Sequence, residues 1–284
     1  MRPDGSVRAL GRLAGVNSGG EGGLLGLAAS PRFAADGLVY AYHTSSSDNR
    51  IVRFRLDSLD RPAPILTGIP VSGIHNGGRL AFGPDGMLYA GTGDASTRGR
   101  SQDLGSLGGK ILRMTPDGKP PADNPVKGSL VYSRGHRNVQ GLAFDPAGRL
   151  FASEFGQNRF DEVNRIVAGG NYGWPEVEGA GGAPRFRDPL VTWATSESSP
   201  SGAAIAGGAL YVAALKGERL WRIPLDGRGG LGRPEALFVG DFGRLRHVAL
   251  APDGSLWLLT SNRDGRGDPV ADDDRILRIP LVRA

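Results

Sequence analysis

The stretch that decides the fold covers residues 73–94 and reads GIHNGGRLAFGPDGMLYAGTGD. Two apolar runs, at 80–82 and 87–90, lie on either side of the turn sequence Pro-Asp-Gly at 84–86. Asp-Gly between apolar runs is typical of a tight hairpin, because glycine adopts the positive φ that such a turn requires. The stretch therefore predicts two antiparallel strands joined by a short turn.

The same hairpin brings two polar residues to one end of the sheet. His75 precedes the first strand and Asp94 follows the second, so we expect their side chains to lie close together. A histidine whose ring tautomer is fixed by a carboxylate is a recurring catalytic arrangement. A histidine with a purely structural role fits the same pattern.

The hairpin belongs to a repeat that occurs five times. Each copy has two apolar strands around a Pro or Gly turn, then a polar loop and a short strand rich in Arg and Ile or Leu. The turn glycines are roughly 54 residues apart on average: Gly37, Gly86, Gly148, Gly208 and Gly254. Small antiparallel sheets that cannot bury both faces alone stack radially as a β-propeller.

The number of blades follows from the copies. Residues 2–10, RPDGSVRAL, resemble the second half of a further repeat. The sequence thus predicts an all-β fold, a six-bladed β-propeller of antiparallel four-stranded blades with an incomplete first blade, as a single domain over residues 1–284. We expect on this basis that the chain starts late and lacks a leader and about two inner strands.

Composition narrows the function classes. The chain has no cysteine, which excludes disulfides and thiolate chemistry. Its net charge of +5 comes from 34 Lys and Arg scattered among 29 Asp and Glu, which favours an ordinary solvated surface over nucleic-acid binding. No apolar run approaches the ~18 residues of a membrane span, and no leader is visible.

Four basic residues from three blades are expected at one rim. Arg137, Arg244 and Arg246 come at or just before predicted inner strands, and Lys216 comes just after the second strand of the fourth blade. Strand alternation places Arg244 and Arg246 on one face. Four cations at one rim are unfavourable unless an anion lies between them, which predicts an anionic ligand. Independent solvation of each side chain is the alternative.

A second polar cluster spans residues 153–175 and contains SEFGQN, DEVN and GGNYGWP. Carboxylates and free carbonyls in a glycine-rich loop suit a hard cation with oxygen ligands, such as calcium. A surface turn without a metal also accounts for this composition.

Ordered motifs along the whole chain resemble one protein family. They include HNGGRLAFGPDG, GTGD, YSRGHRNVQGLAFDP, GGNYGWPEVEG, LYVAALKGERLWRIPL and GRLRHVALAPDGSLW. This series is similar to the soluble sugar dehydrogenases that depend on pyrroloquinoline quinone (PQQ), the glucose/sorbosone dehydrogenase family. The resemblance implies a six-bladed propeller that oxidises an aldose sugar at C1 and passes electrons to an external acceptor.

The resemblance also implies roles for individual residues. His75 matches the base that takes the C1 hydroxyl proton, Asp94 the carboxylate that orients it, and Arg137 a group that polarises the quinone. The side chains that match cofactor ligands are Arg137, Asn138, Lys216, Arg244 and Arg246. Glu21 stands where the family usually has a cofactor-binding Gln, and its charge would repel an anionic cofactor unless it pairs with an arginine or is protonated.

Two calcium sites follow from the same resemblance. The carbonyls of Gly156 and Gln157 match ligands of the calcium that bridges to the quinone, with Gln157 replacing a usual proline. Glu162 and the carbonyl of Tyr172 match a structural site. The family's usual location predicts a periplasmic or extracellular protein. The rival functions are a calcium-dependent, lactonase-like propeller hydrolase and a non-catalytic propeller that binds carbohydrate or protein.

Overall fold

The computed structural model describes residues 6–281, which fold into five antiparallel sheets, one for each copy of the repeat. Four sheets have four strands and the fifth has three. A short helix, α1 (Phe33–Asp36), joins the first two strands, and a 3-10 turn covers Arg98–Ser101.

The first two sheets contain β1 (Leu24–Ala29), β2 (Leu38–Thr44), β3 (Asn49–Arg55), β4 (Ala63–Ile69), β5 (Gly77–Phe82), β6 (Leu88–Thr92), β7 (Lys110–Met114) and β8 (Val131–Arg134). The other three contain β9 (Val139–Phe144), β10 (Leu150–Glu154), β11 (Phe160–Ile166), β12 (Val191–Ala194), β13 (Pro200–Ala206), β14 (Ala209–Ala214), β15 (Arg219–Pro224), β16 (Glu235–Leu237), β17 (Leu245–Leu250), β18 (Leu256–Thr260) and β19 (Ile276–Ile279).

Apolar cores between neighbouring sheets hold the propeller together. Tyr40 and Ile51 of the first sheet pack with Leu88 and Leu112 of the second, and all four side chains are almost fully buried. Comparable cores join the second sheet to the third, the third to the fourth and the fourth to the fifth. Each sheet therefore covers a face that its neighbour could not bury alone.

The innermost strands, β1, β5, β9, β13 and β17, each contain one register shift near their first residues. An extra residue in one strand of a pair is a β-bulge, which re-aims side chains and is frequent beside functional sites. The bulge residues of three blades, Leu25, Gln140 and Arg246, line one central cavity. The ring of bulges thus places side chains around the mouth of the channel.

The predicted count of six blades is wrong for the described chain, which shows five. The first sheet is complete, and the sheet with fewest strands is the last. The half-blade expected from residues 2–10 forms no strand where it is described, because an isolated strand has no partner for its backbone hydrogen bonds; residues 1–5 lie outside the described range. The all-β propeller of mostly four-stranded antiparallel blades is confirmed.

The first and fifth sheets differ from the other neighbours. Within residues 6–281 their strands are not packed closely against each other. Leu24 and Leu27 of β1 and Leu250 of β17 are about half exposed. An ion pair between Glu21 and Arg266 connects the two sides, with 3.0 Å between Oε1 and Nη1. No helix in the described part of the chain is long and apolar enough to cross a membrane.

Candidate active site

His75 and Asp94 meet at the end of the β5–β6 hairpin. His75 lies just before β5 with a φ of 60°, and Asp94 lies two residues after β6. The Nδ1 atom of His75 is 2.9 Å from Oδ1 of Asp94. The histidine side chain is 12% exposed and the aspartate 1%, so the pair is largely shielded from solvent.

Asp94 receives hydrogen bonds on both carboxylate oxygens. Trp174 Nε1 donates to Oδ2 at 2.9 Å, and the Ser96 amide donates to Oδ1 at 2.9 Å. Burial alone would raise the pKa of Asp94, but the hydrogen bonds from His75 and Trp174 outweigh burial and hold the pKa below its usual value. An ionised Asp94 requires a proton on His75 Nδ1, which leaves the lone pair on Nε2.

Arg137 contacts the other edge of the His75 ring. Its Nη2 atom is 2.8 Å from Nε2 of His75. Because a guanidinium group only donates hydrogen bonds, Nε2 is the acceptor and the ring is neutral. Arg137 also donates from Nε to Gln157 Oε1 at 3.0 Å and lies over the Trp174 ring. Burial lowers the pKa of Arg137 from its usual value.

A buried carboxylate positions the segment that carries Arg137 and Asn138. Glu154, at the end of β10, accepts from the Arg137 amide at 2.9 Å and contacts Nδ1 of His136 at 2.9 Å. Asn138 accepts from the Gly77 amide at 2.9 Å, whereas its Nδ2 has no partner within residues 6–281. This unpaired donor is fully buried, and Asn138 is not among the residues that line the central cavity.

Glu21 is held by partners from two other parts of the chain. Its Oε2 accepts from the His75 amide at 3.0 Å, and its Oε1 pairs with Arg266. The arginine partner supplies the neutralising charge that the sequence required for a carboxylate near an anionic ligand.

The predicted basic rim is only partly assembled. Arg244 and Arg246 both approach Asp264, at 3.0 and 3.6 Å, so an internal carboxylate supplies part of the expected anion. The bulge at Arg246 interrupts the alternation after Arg244: Arg246 lines the central cavity, while Arg244 is buried behind it. Lys216 is exposed outside the cavity lining.

The central cavity has a volume of about 490 Å³, which lies in the range of small-molecule and cofactor sites. Its charged lining consists of three arginines and two carboxylates, Arg79, Arg246, Arg266, Glu21 and Asp264, and its uncharged polar lining includes Gln140 and His247. His75 and Arg137 stand at its edge, next to the lining residues Asn76, Gly77 and Phe155. The excess of arginines over carboxylates in this lining fits an acidic cofactor such as PQQ.

The loop with the predicted bridging-calcium ligands is held by one carboxylate. Glu178 Oε1 accepts from the four successive amides of residues 157–160, at 2.7 to 3.1 Å. The described residues offer no hydrogen-bond donor to the carbonyls of Gly156 and Gln157. Fixed amides on one side and free carbonyls on the other suit a cation.

The predicted structural-calcium residues border a cavity of about 10 Å³. Burial and the nearby Glu154 raise the pKa of Glu162 to about 8. Tyr172 lines the same space while its hydroxyl donates to the Arg165 carbonyl. Between residues 6 and 281 no three His, Cys, Asp or Glu side chains are arranged as a metal site.

Several site residues were not assigned from the sequence. Trp174 lies in the quoted GGNYGWP motif, yet its hydrogen bond to Asp94 joins residues that are 80 positions apart in the sequence. Arg79 lies in HNGGRLAF, where the double glycine before it was the available signal. Asp264 and Arg266 had no signal, because their partners are distant in sequence.

Comparisons with known proteins identify relatives over most of the chain. A family model described as Glucose / Sorbosone dehydrogenase matches residues 1–278. The PQQ-bound aldose sugar dehydrogenase of Streptomyces coelicolor is 59% identical with a TM-score of 0.91, and the match covers 95% of this chain and 83% of that one. A putative oxidoreductase (glucose dehydrogenase) of Thermus thermophilus is 49% identical with a TM-score of 0.87, covering 93% and 85%.

Quinoprotein glucose dehydrogenase B of Acinetobacter calcoaceticus is 38% identical over 199 residues. That match covers 56% of this chain and 41% of the Acinetobacter protein, so the aligned part spans less than half of that relative. The family model nonetheless covers nearly the whole sequence. The chain belongs to the glucose/sorbosone dehydrogenase family.

Proposed function

We propose that this protein oxidises the C1 hydroxyl of an aldose sugar to the lactone, with PQQ as hydride acceptor and calcium as its metal partner. The observation that carries the proposal is the hydrogen-bond series Asp94–His75–Arg137 beside a cavity lined by three arginines and two carboxylates. The Streptomyces relative, which is PQQ-bound, supports the choice of cofactor. The whole chain acts in this proposal as one propeller domain.

His75 is the base in this mechanism. Asp94 holds the proton on Nδ1, so Nε2 accepts the proton of the sugar C1 hydroxyl as the C–H bond breaks. The imidazolium that forms is stabilised by the ionised Asp94 at 2.9 Å. PQQ, when bound, would supply the hydride acceptor: both electrons would leave C1 with the hydride, and the hydroxyl proton would go to His75.

In this scheme Arg137 exchanges one hydrogen-bond acceptor for another. In the structure it donates to His75 Nε2, the atom that must accept the substrate proton. The sugar hydroxyl therefore displaces Arg137 from Nε2, and the freed guanidinium donates to negative charge that develops on the oxidant side of the cavity. Gln157 and the Trp174 ring keep the guanidinium close to the site.

Calcium completes the proposal as a Lewis acid beside the cofactor. The carbonyls of Gly156 and Gln157, with the loop amides fixed by Glu178, support a first site. Glu162 and the Tyr172 carbonyl support a second, structural one. A periplasmic or extracellular location and an external electron acceptor belong to the same proposal and rest on the family resemblance.

The decisive assay combines protein, PQQ and calcium with an aldose and a redox dye. We expect dye reduction that requires the quinone and is lost on chelation of calcium. Omission of PQQ, addition of chelator, and replacement of sugar by a lactone are the controls. Hydrolysis of a lactone without dye reduction would favour the hydrolase, and sugar binding without either reaction would favour a non-catalytic propeller.

A further inference from the structure

The residues before Arg79 explain why its side chain lines the central cavity. The β-bulge of β5 falls on Gly78, with a φ of 112°, and Arg79 follows it in the cavity lining. A side chain at residue 78 would collide with Leu25 of the neighbouring blade. Glycine at the bulge therefore lets the two inner strands approach, and the next residue supplies the side chain for this blade.

The ion pairs around the cavity do not include Arg79. Glu21 pairs with Arg266, and Asp264 is shared by Arg244 and Arg246. Within residues 6–281 no carboxylate lies within ion-pair distance of Arg79. A partly buried cation without a partner is costly in a ligand-free protein and favourable once an anion binds.

The guanidinium of Arg79 also has free donors. Its Nε donates to the Gln140 carbonyl at 2.9 Å, and in the described part of the chain its η nitrogens have no acceptor. Burial, and then the charge of Arg246, lower the pKa of Arg79 to about 10, which keeps it charged at neutral pH. The two cations are thus near enough to sense each other.

His247 occupies the corresponding place on β17, one residue after its bulge. Burial and the charge of Arg79 lower the pKa of His247 well below its usual value, so the imidazole is neutral. The cavity therefore carries two guanidinium charges, from Arg79 on the second blade and Arg246 on the fifth, and within the described residues only Arg246 has a carboxylate, Asp264, beside it.

We propose that Arg79 and Arg246 together bind a carboxylate of the ligand in the central cavity. Both side chains line the same cavity, and Arg79 is the arginine without a carboxylate partner among the described residues. Guanidinium groups match the geometry of carboxylates, to which they can donate two parallel hydrogen bonds. Identification of the ligand as PQQ rests on the proposed function; the anion site itself does not.

The test compares Arg79→Met with a surface control, Arg222→Met, whose side chain pairs with Glu235 on the outer part of the fourth sheet. Loss of an unpaired cation should leave the melting temperature of the ligand-free protein unchanged or raise it. PQQ affinity, measured by equilibrium titration of apo-protein, should fall about 10- to 100-fold. The Arg222 variant should keep parental affinity.

A structural role for Arg79 predicts the opposite pattern in the ligand-free protein. A lower melting temperature, or failure of Arg79→Met to fold when Arg79→Lys folds, would overturn the inference. Quinone affinity within twofold of the parent in Arg79→Met would overturn it as well. Arg79→Lys keeps the positive charge but cannot donate two parallel hydrogen bonds to a carboxylate, so it should bind PQQ with intermediate affinity.

A second arm separates this inference from the proposed function. Citrate, compared with sodium chloride at equal ionic strength, should raise the melting temperature of the parent and of Arg222→Met but not of Arg79→Met. If the parent binds no PQQ, the proposed function fails while citrate still decides on the anion site. Equal stabilisation of all three proteins by citrate would contradict the site.

Discussion

The Nε2 atom of His75 accepts a hydrogen bond from Arg137 at 2.8 Å, while Nδ1 of the same ring is bonded to Asp94 at 2.9 Å. The ring is thus fixed at both nitrogens and is neutral. Catalysis requires that only the Nε2 contact be exchanged for the substrate hydroxyl. The structure therefore describes a base whose orientation is set before substrate binds.

Asp94→Asn should lower kcat by about 10²- to 10⁴-fold with little change in PQQ affinity, because an amide neither stabilises the imidazolium nor fixes the tautomer. Trp174→Phe removes one of several donors to Asp94 and should have a smaller effect. Steady-state kinetics and quinone titration of both variants provide the measurement. Equal losses of kcat in the two variants would indicate that packing around Trp174, and not the charge of Asp94, accounts for the lower rate.

Arg244→Ala and Arg246→Ala should differ. Arg246 lines the cavity, and loss of its charge-assisted contact should weaken PQQ binding by roughly 1.5–3 kcal/mol. Arg244 is buried against Asp264, so its removal should chiefly lower the urea midpoint. Similar quinone affinities for both variants would show that the two arginines share one function, as strand alternation alone suggests.

Glu178→Ala should raise the calcium concentration needed for half-maximal activity and lower the melting temperature. The substitution removes the acceptor of the four amides of residues 157–160, which frees the loop of Gly156 and Gln157. Glu176→Ala, at an exposed ion pair two residues earlier, is the matched control. An unchanged calcium requirement in Glu178→Ala would disconnect this loop from the metal.

The buried, neutral His247 predicts a loss of stability in acid. The pKa of His247 in the folded protein lies below its ordinary value of 6.5. As the pH falls below about 6.5, the imidazole therefore binds a proton in the unfolded chain but not in the folded protein. A histidine that stayed neutral in the folded protein would lose about 1.4 kcal/mol of stabilisation between pH 7.5 and 5.5. His247→Gln should therefore lose less unfolding free energy over this interval, as measured by urea titration. Identical losses in parent and variant would mean that His247 is protonated in the folded state.

Local patterns predicted much of this molecule because hairpins and repeats depend on neighbouring residues. The alternation around Pro84-Asp85-Gly86 predicted β5 and β6, and the hairpin brought His75 to Asp94. Five repeats likewise correspond to five sheets.

What could not be predicted depends on long-range geometry. The Glu21–Arg266 pair joins residues 245 positions apart. The bulges that direct Arg79 and Arg246 into the cavity depend on how closely neighbouring blades approach. The sixth blade was expected from a short remnant that, where it is described, has no strand partner.

The central claim is tested most directly by a single turnover. Protein loaded with equimolar PQQ and calcium is mixed with an aldose without any electron acceptor, and reduction of the bound quinone is followed by its absorbance. The account predicts full reduction in the parent, and reduction slowed by about 10²- to 10⁴-fold in His75→Ala with the quinone still bound. Bound quinone that stays oxidised in the parent, or reduction at the parental rate in His75→Ala, would contradict it.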